Sequence, residues 1–166
     1  MTMASPWTQR PSALLGATAL LCVAALAAAL VSQHVFGMEP CPWCVLQRLI
    51  FVAIALACGL GLVWRAVVGR VLAGTLALLL ALSGVVSGLW QHLVAAKSQS
   101  CNLTLADRII VALRLDTLLA DVFSPRASCA DAAVDLLGVP YVFWSVALFV
   151  VIALAAVRVL RHAAAR

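Results

Sequence analysis

The sequence predicts an all-α integral membrane protein: a four-helix transmembrane bundle with a long outer loop that carries a short interfacial helix. Hydrophobic residues make up 66% of its 166 residues and charged residues only 10%, against roughly 25% charged residues in soluble domains. The mean hydropathy of +1.14 also indicates a membrane protein. Four apolar stretches also approach the roughly 20 residues that a helix needs to cross the hydrocarbon core.

These stretches are the predicted membrane spans, at residues 12–31, 45–64, 71–89 and 139–157. Each must be helical, because lipid offers backbone groups no hydrogen-bonding partner outside the segment. The first stretch follows Arg10 and ends in alanines, as a secretory signal does. Its apolar core is too long for such a signal, so we expect a retained helix and one four-helix membrane domain over residues 1–166.

The charges predict the orientation of the bundle. One side carries six basic residues and no acid, namely Arg10, Arg65, Arg70, Arg158, Arg161 and Arg166. The connections 32–44 and 90–138 on the other side carry all six acidic residues. By the positive-inside rule, both termini are cytoplasmic and both longer loops face outward. This topology accounts for the formal charge of +5, so we expect contact with the lipid bilayer and no nucleic-acid binding.

The motif Cys41-Pro42-Trp43-Cys44 lies at the outer start of the second span. A Cys-x-x-Cys pair at a helix start is typical of a redox site, because the positive helix N-terminus favours the thiolate. Pro42 suits the first helical position, where a missing N–H costs nothing. A permanent staple is the alternative, but closing so short a loop stabilises a fold little.

Cys101 and Cys129 form a second outward pair. Paired thiols in an oxidising compartment indicate disulfide chemistry, although a staple across this long loop is an open alternative. A zinc site is disfavoured because 27 residues separate the second pair, whereas zinc ligands come in closely spaced pairs. Cys22 and Cys58 lie in the middle of spans and are expected to pack as small apolar residues.

Arg48 lies four residues after Cys44, on the same helix face. A charge that deep in a span is costly unless it has a function or reaches the interface. We expect its guanidinium to stabilise negative charge on Cys44 or on a reducible ligand, with snorkelling to the headgroups as the alternative. His92, at the outer end of the third span, is a second candidate for the same pocket, whereas His34 is expected to be an interface anchor.

The outer loop carries apolar residues among scattered charges over residues 102–123. This composition suits a helix lying along the membrane surface. Ser124-Pro125 would end that helix. An ordinary apolar connecting loop explains the pattern equally well.

In their order and sidedness, these motifs resemble the DsbB family of membrane thiol:quinone oxidoreductases. The matching stretches are Gln33-His34, Pro40 to Cys44 with Arg48, Gln91-His92, Cys101, Cys129-Ala130 and Leu136-Leu137-Gly138. They extend over nearly the whole chain. Gln47 departs from the pattern, because some members carry an acid at this position, and a proton role there is therefore in doubt.

The resemblance implies a multi-pass enzyme of the bacterial inner membrane with periplasmic active loops. Such an enzyme re-oxidises a periplasmic thioredoxin-like oxidase of the DsbA type and reduces a membrane quinone, either ubiquinone or menaquinone. It implies that the oxidase attacks Cys101 and releases Cys129, which then engages Cys41. Cys44 would pass the electrons to a quinone beside Arg48, with His92 as a further quinone contact.

Two alternatives are open at this point. A reductase of the vitamin K epoxide type also combines a small helical bundle with loop cysteines. Its loop pair would precede the Cys-x-x-Cys motif, whereas here it follows. A disulfide-stapled structural subunit of a membrane complex is the alternative outside redox chemistry, and it would show no turnover with a reduced thioredoxin-like protein and a quinone.

Overall fold

The computed structural model of the chain describes residues 11–64, 66–97 and 104–164. Arg10, Arg65, Cys101 and Arg166 lie outside the described residues. In chain order the elements are α1 (Pro11–Phe36), α2 (Pro42–Val63), α3 (Val67–Leu93), a 3₁₀ turn (Ala95–Lys97), α4 (Leu105–Ala112), α5 (Leu115–Leu118), α6 (Ala120–Phe123), β1 (Asp135–Leu136), β2 (Val139–Pro140) and α7 (Tyr141–Ala164).

Helices α1, α2, α3 and α7 are long and apolar enough to cross a membrane. The predicted all-α four-helix membrane bundle is therefore confirmed. Each helix runs beyond its predicted apolar span at one or both ends. The extension of α1 as far as Phe36 takes in Gln33 and His34, polar residues at which a hydropathy pattern ends but helical hydrogen bonding does not.

Glycines on α3 allow close helix packing in the bundle core. A Cβ on Gly84 would lie 2.6 Å from ring carbons of Phe149, on α7. A Cβ on Gly88 would lie 2.6 Å from a methyl of Val146. The Phe149 ring stacks on Phe51 of α2 with centroids 4.2 Å apart. Small residues four apart thus bring α3 against α7.

The first two residues of the surface helix expected over residues 102–123 lie outside the described residues. Its described part is divided into α4, α5 and α6. Thr104 and Asp107 form a capping box that starts α4. The left-handed conformation of Arg114, with φ of 53°, then interrupts the helix, because an α-helix cannot continue through it.

These breaks let the loop cover the outer part of α2. Ile110 of α4 and Phe123 of α6 are both buried in one cluster with Val45 of α2. The backbone N–H groups of Arg126 and Ala127 then donate to the carbonyl oxygen of Pro40, at 2.9 and 3.3 Å. The second outer loop is thus attached to the chain next to Cys41.

A short antiparallel hairpin of β1 and β2 leads into α7. Leu137 and Gly138, between the strands, have φ of 57° and 78°. Positive φ at both central residues is the geometry that suits a two-residue hairpin turn. The Leu136-Leu137-Gly138 motif therefore directs the chain from the outer loop back into the membrane.

Candidate functional site

The Cys-x-x-Cys motif lies at the N-terminus of α2, as predicted. Cys41 is the N-cap residue, and Pro42 is the first residue of the helix. The Cys41 Sγ atom accepts a hydrogen bond from the backbone N–H of Cys44 at 3.3 Å. The two sulfur atoms are 2.9 Å apart. The helix start thus holds both sulfurs in contact.

Cys129 joins this pair from the outer loop. Its thiol is hydrogen-bonded with Cys41 and accepts from the backbone N–H of Trp43. The hydrogen bond with Cys41 lowers the pKa of Cys129 against the opposing effect of burial. Hydrogen bonds with Cys129 and with Cys44, together with burial, raise the pKa of Cys41 well above its ordinary range. Within this contact, Cys129 is therefore the sulfur that favours the thiolate.

The two buried residues Gln47 and Gln91 complete the surroundings of Cys44. The Nε2 group of Gln91 donates to the Cys44 Sγ atom at 3.2 Å. Gln47 Nε2 in turn donates to Gln91 Oε1 at 2.7 Å. Sequence reasoning did not select Gln91 as a site residue. The available signal was that Gln91 places an amide side chain next to His92 at the end of a predicted membrane span.

Arg48 is buried, with 6% of its surface exposed. Its Nη1 group donates to Gln33 Oε1 at 2.6 Å and to the Val122 carbonyl at 2.9 Å. Its Nη2 group donates to the Ala29 carbonyl at 3.2 Å. The snorkelling alternative is wrong, because the guanidinium is directed into the protein, where it links α1, α2 and α6.

His92 lies on another side of α3. Its ring packs against Phe143 of α7, with centroids 4.8 Å apart. Among the described residues that line the cavity beside Cys44, Gln91 is present and His92 is not. The quinone contact predicted for His92 stays a prediction. His34 is exposed and hydrogen-bonds the Leu30 carbonyl at 2.9 Å, a position that suits an interface anchor.

The cavity beside Cys44 has a volume of about 590 Å³, within the usual range for small-molecule sites. Residues of α1, α2, α7 and the outer loop form most of its wall. The polar part of the wall includes Cys44, Gln47, Arg48, Gln91 and Tyr141, and the apolar part includes Ala25, Phe51, Val142, Trp144 and Leu148. A mostly apolar wall with few polar groups is the usual form of a ligand site.

Comparison with known proteins identifies the family. The family model described as Disulfide bond formation protein DsbB matches residues 10–159. The chain belongs to the DsbB family. It is 34% identical to Disulfide bond formation protein B of Herminiimonas arsenicoxydans over 139 residues, which are 83% of this chain and 87% of that protein. It is 32% identical to the protein of the same name from Polaromonas naphthalenivorans over 157 residues, 93% of each chain.

A third relative, Disulfide bond formation protein B 1 of Pseudomonas aeruginosa, is 33% identical over 135 residues, which are 79% of this chain and 83% of that protein. The chain is therefore a multi-pass membrane protein of disulfide bond formation and a disulfide-forming oxidoreductase. The alternative of a vitamin K epoxide reductase-type protein is set aside, because the DsbB family accounts for the chain from residue 10 to residue 159.

Proposed function

We propose that this DsbB-family protein re-oxidises a periplasmic thioredoxin-like dithiol oxidase of the DsbA type. The electrons pass through Cys101–Cys129 and then Cys41–Cys44 to a membrane quinone, either ubiquinone or menaquinone. The observation that carries this proposal is the contact of Cys129 with Cys41 at the start of α2, one sulfur away from the apolar cavity that Cys44 lines.

The first exchange takes place at the outer loop. A thiolate of the reduced oxidase attacks the Cys101 sulfur of the Cys101–Cys129 disulfide. The mixed disulfide with Cys101 forms, the Cys101–Cys129 bond breaks, and Cys129 leaves as a thiolate. The second oxidase thiol then resolves the mixed disulfide, so the oxidase leaves oxidised and Cys101 is left reduced.

The second exchange takes place at the start of α2. The Cys129 thiolate attacks the Cys41 sulfur, the Cys41–Cys129 bond forms, and the Cys41–Cys44 bond breaks with its electron pair on Cys44. Cys129 is already a thiolate when it leaves Cys101, and the backbone N–H of Trp43, which donates to its sulfur, helps to keep it in that form. Attack by Cys101 on Cys129 then restores the outer disulfide and leaves Cys41 and Cys44 as the reduced pair.

The cavity suits a quinone. Apolar side chains such as Phe51 and Leu148 supply surface for a flat ring, and Arg48 supplies a cation for the charge that develops on reduction. A bound quinone accepts two electrons and two protons. The reduced Cys41–Cys44 pair supplies both electrons and both protons, with Cys44 as the sulfur that faces the cavity, and re-formation of the Cys41–Cys44 disulfide completes the cycle.

The proposed location is the bacterial inner membrane, with both termini cytoplasmic and both cysteine-bearing loops periplasmic. Cys41 and Cys129 lie together at one end of the bundle. Arg70 lies in the first turns of α3, and Arg158 and Arg161 lie near the end of α7. These basic residues thus lie at helix ends remote from the cysteines, as the positive-inside rule requires.

Turnover with a soluble quinone tests the proposal. The purified protein in detergent is mixed with a reduced thioredoxin-like oxidase and a short-chain ubiquinone. The loss of oxidase thiols and the loss of quinone absorbance are followed together. We expect equal amounts of oxidase dithiol and quinone to be consumed, and no consumption with the Cys44→Ser variant. Thiol oxidation by the wild-type protein without quinone loss would overturn the proposal.

A further inference from the structure

Two buried glutamines form a hydrogen-bonded chain that ends on the sulfur of Cys44. Gln47, on α2, is 4% exposed and Gln91, on α3, is 5% exposed. Gln47 Nε2 donates to Gln91 Oε1 at 2.7 Å, and Gln91 Nε2 donates to Cys44 Sγ at 3.2 Å. Buried amides in a membrane protein are costly unless they are hydrogen-bonded, so this arrangement needs a physical reason.

The chain of hydrogen bonds has a direction. A glutamine side chain has one acceptor oxygen and one NH₂ group. Because Gln47 donates to the oxygen of Gln91, the NH₂ group of Gln91 is left facing the sulfur. The Trp43 and Trp90 rings, one residue before Cys44 and Gln91, are 6.5 Å apart. This contact holds α2 and α3 in the register that places the amide against Cys44.

We propose that Gln91 is a catalytic residue that stabilises the thiolate of Cys44, and that Gln47 is the positioning residue that orients its amide. This inference rests on the proposed function, in which the Cys41–Cys44 bond breaks and leaves its electron pair on Cys44. The Gln91 N–H group donates to the sulfur as the negative charge develops.

Gln91 stabilises the Cys44 sulfur most when the Cys41–Cys44 bond breaks and the sulfur becomes negatively charged. A hydrogen bond to a charged acceptor is about twice as strong as one between neutral groups. Burial strengthens the effect, because the donor is already in place and little water competes for the sulfur. An amide also does not titrate. Its orientation is therefore the same over the whole pH range in which cysteine thiols ionise.

Alkylation of the reduced full-length protein tests the role of Gln91 without quinone or oxidase. The protein in detergent is given short pulses of iodoacetamide from about pH 5 to about pH 9, and peptide mass spectrometry reads each cysteine separately. In Gln91→Leu we expect the alkylation rate of Cys44 near neutral pH to fall about tenfold, with its profile displaced to higher pH by about one unit.

Ser87→Ala is the matched control. Ser87 is buried on α3, one turn before Gln91, and it donates to the Gly84 carbonyl of its own helix. Its replacement removes a buried polar group without touching Cys44, so the Cys44 profile should stay at the wild-type position. The ionisable groups around Cys44 are the same in every variant. They are Cys41, Cys129 and Arg48 and, on the wall of the same cavity, Glu39, Asp131 and Tyr141.

Gln47→Met tests the positioning role. It removes the donor that orients Gln91, so we expect a smaller fall in Cys44 alkylation than in Gln91→Leu. The Gln47→Met, Gln91→Leu double variant should match Gln91→Leu alone, because Gln47 acts only through Gln91. A further fall in the double variant would overturn the positioning role.

An unchanged Cys44 profile in Gln91→Leu would overturn the inference. If that variant does not fold, the Cys44 alkylation profile of Gln91→Met is measured instead, because methionine has a similar shape and no N–H donor. An unchanged profile in Gln91→Met would likewise overturn the inference. This outcome is independent of the proposed function. Absence of quinone turnover in the wild-type protein would reject that function, whereas an unchanged alkylation profile with normal turnover would reject only the role of Gln91.

Discussion

At the scale of single residues, Arg48 combines two roles. Its donors hold the Gln33 side chain of α1 and the Val122 carbonyl of α6, and its charge lies on the wall of the cavity beside Cys44. A planar guanidinium presents several donors in fixed directions, whereas an ammonium group is a single point charge. Lysine at this position would therefore keep the charge and lose the geometry.

We expect Arg48→Lys to raise the apparent KM for quinone about tenfold, because losing one hydrogen bond to a charged group weakens binding by about that factor. The Cys101–Cys129 disulfide should still exchange with the oxidase. Arg48→Met should also slow quinone reduction, because the cation itself is lost. Steady-state kinetics with a short-chain ubiquinone measure both effects. Unchanged quinone kinetics in Arg48→Met would move the quinone site elsewhere, with His92 as the next candidate.

The sulfur contact predicts a pH dependence. The hydrogen bond with Cys41 lowers the pKa of Cys129, and the same bond raises the pKa of Cys41. As the pH falls, Cys41 is therefore protonated first and Cys129 keeps its thiolate longer. In the reduced protein, alkylation of Cys129 should begin at lower pH than that of Cys41. In Cys41→Ala the Cys129 profile should move to higher pH, and an unmoved profile would mean that Cys41 does not stabilise the thiolate.

At the scale of secondary-structure elements, the contact between α3 and α7 depends on glycine. The Phe149 ring occupies the space into which a Cβ on Gly84 would project. A methyl group there forces the helices apart or tilts the ring, since packed interiors leave few voids. Gly59 on α2 is different, because a Cβ there would meet nothing within 4 Å.

We therefore expect Gly84→Ala to lower the free energy of unfolding by about 1–3 kcal/mol, the usual cost of overpacking a core. Gly59→Ala is the matched control and should be neutral or slightly stabilising, because alanine favours the helix. Unfolding of both variants in detergent, followed by circular dichroism, gives the comparison. Equal stability of the two variants would contradict this account of the α3–α7 contact.

The elements also show what the sequence could predict. The four spans follow from apolar length, because lipid allows no other backbone structure. The breaks in the outer loop could not be predicted, because a residue other than glycine, such as Arg114, rarely adopts a positive φ. Gln91 was missed for a related reason. A polar residue at a helix end usually faces the interface, and only the packing of α2 on α3 places this one against Cys44.

At the scale of the whole molecule, the redox groups lie together at one end of the bundle. The carbonyl oxygen of Pro40 accepts hydrogen bonds from the backbone N–H groups of Arg126 and Ala127. These bonds attach the second outer loop beside the first. The sequence suggested the four cysteines by their spacing and sidedness. The meeting of Cys129 with Cys41 followed only from the resemblance, because two loops separated by two membrane spans have no sequence signal for their contact.

The proposed topology predicts opposite locations for two reporter fusions. A reporter after Gly69, in the first turn of α3, should be cytoplasmic. A reporter after Ser98, in the second outer loop, should be periplasmic. Alkaline phosphatase, which is active only outside the cytoplasm, and a fluorescent protein active only inside give complementary signals. The same location for both fusions would refute the positive-inside assignment.

Disulfide mapping of the Cys101→Ser variant tests the electron route most directly. Removing Cys101 leaves Cys129 as a free thiol beside the Cys41–Cys44 disulfide, with no partner to restore the outer bond. We expect attack of Cys129 on Cys41, so that the Cys41–Cys129 disulfide accumulates and Cys44 becomes free to react with iodoacetamide. Cys101→Ser, Cys129→Ser is the control, in which Cys41–Cys44 should stay intact. An intact Cys41–Cys44 bond with free Cys129 in the single variant, or a Cys44–Cys129 bond, would contradict the route.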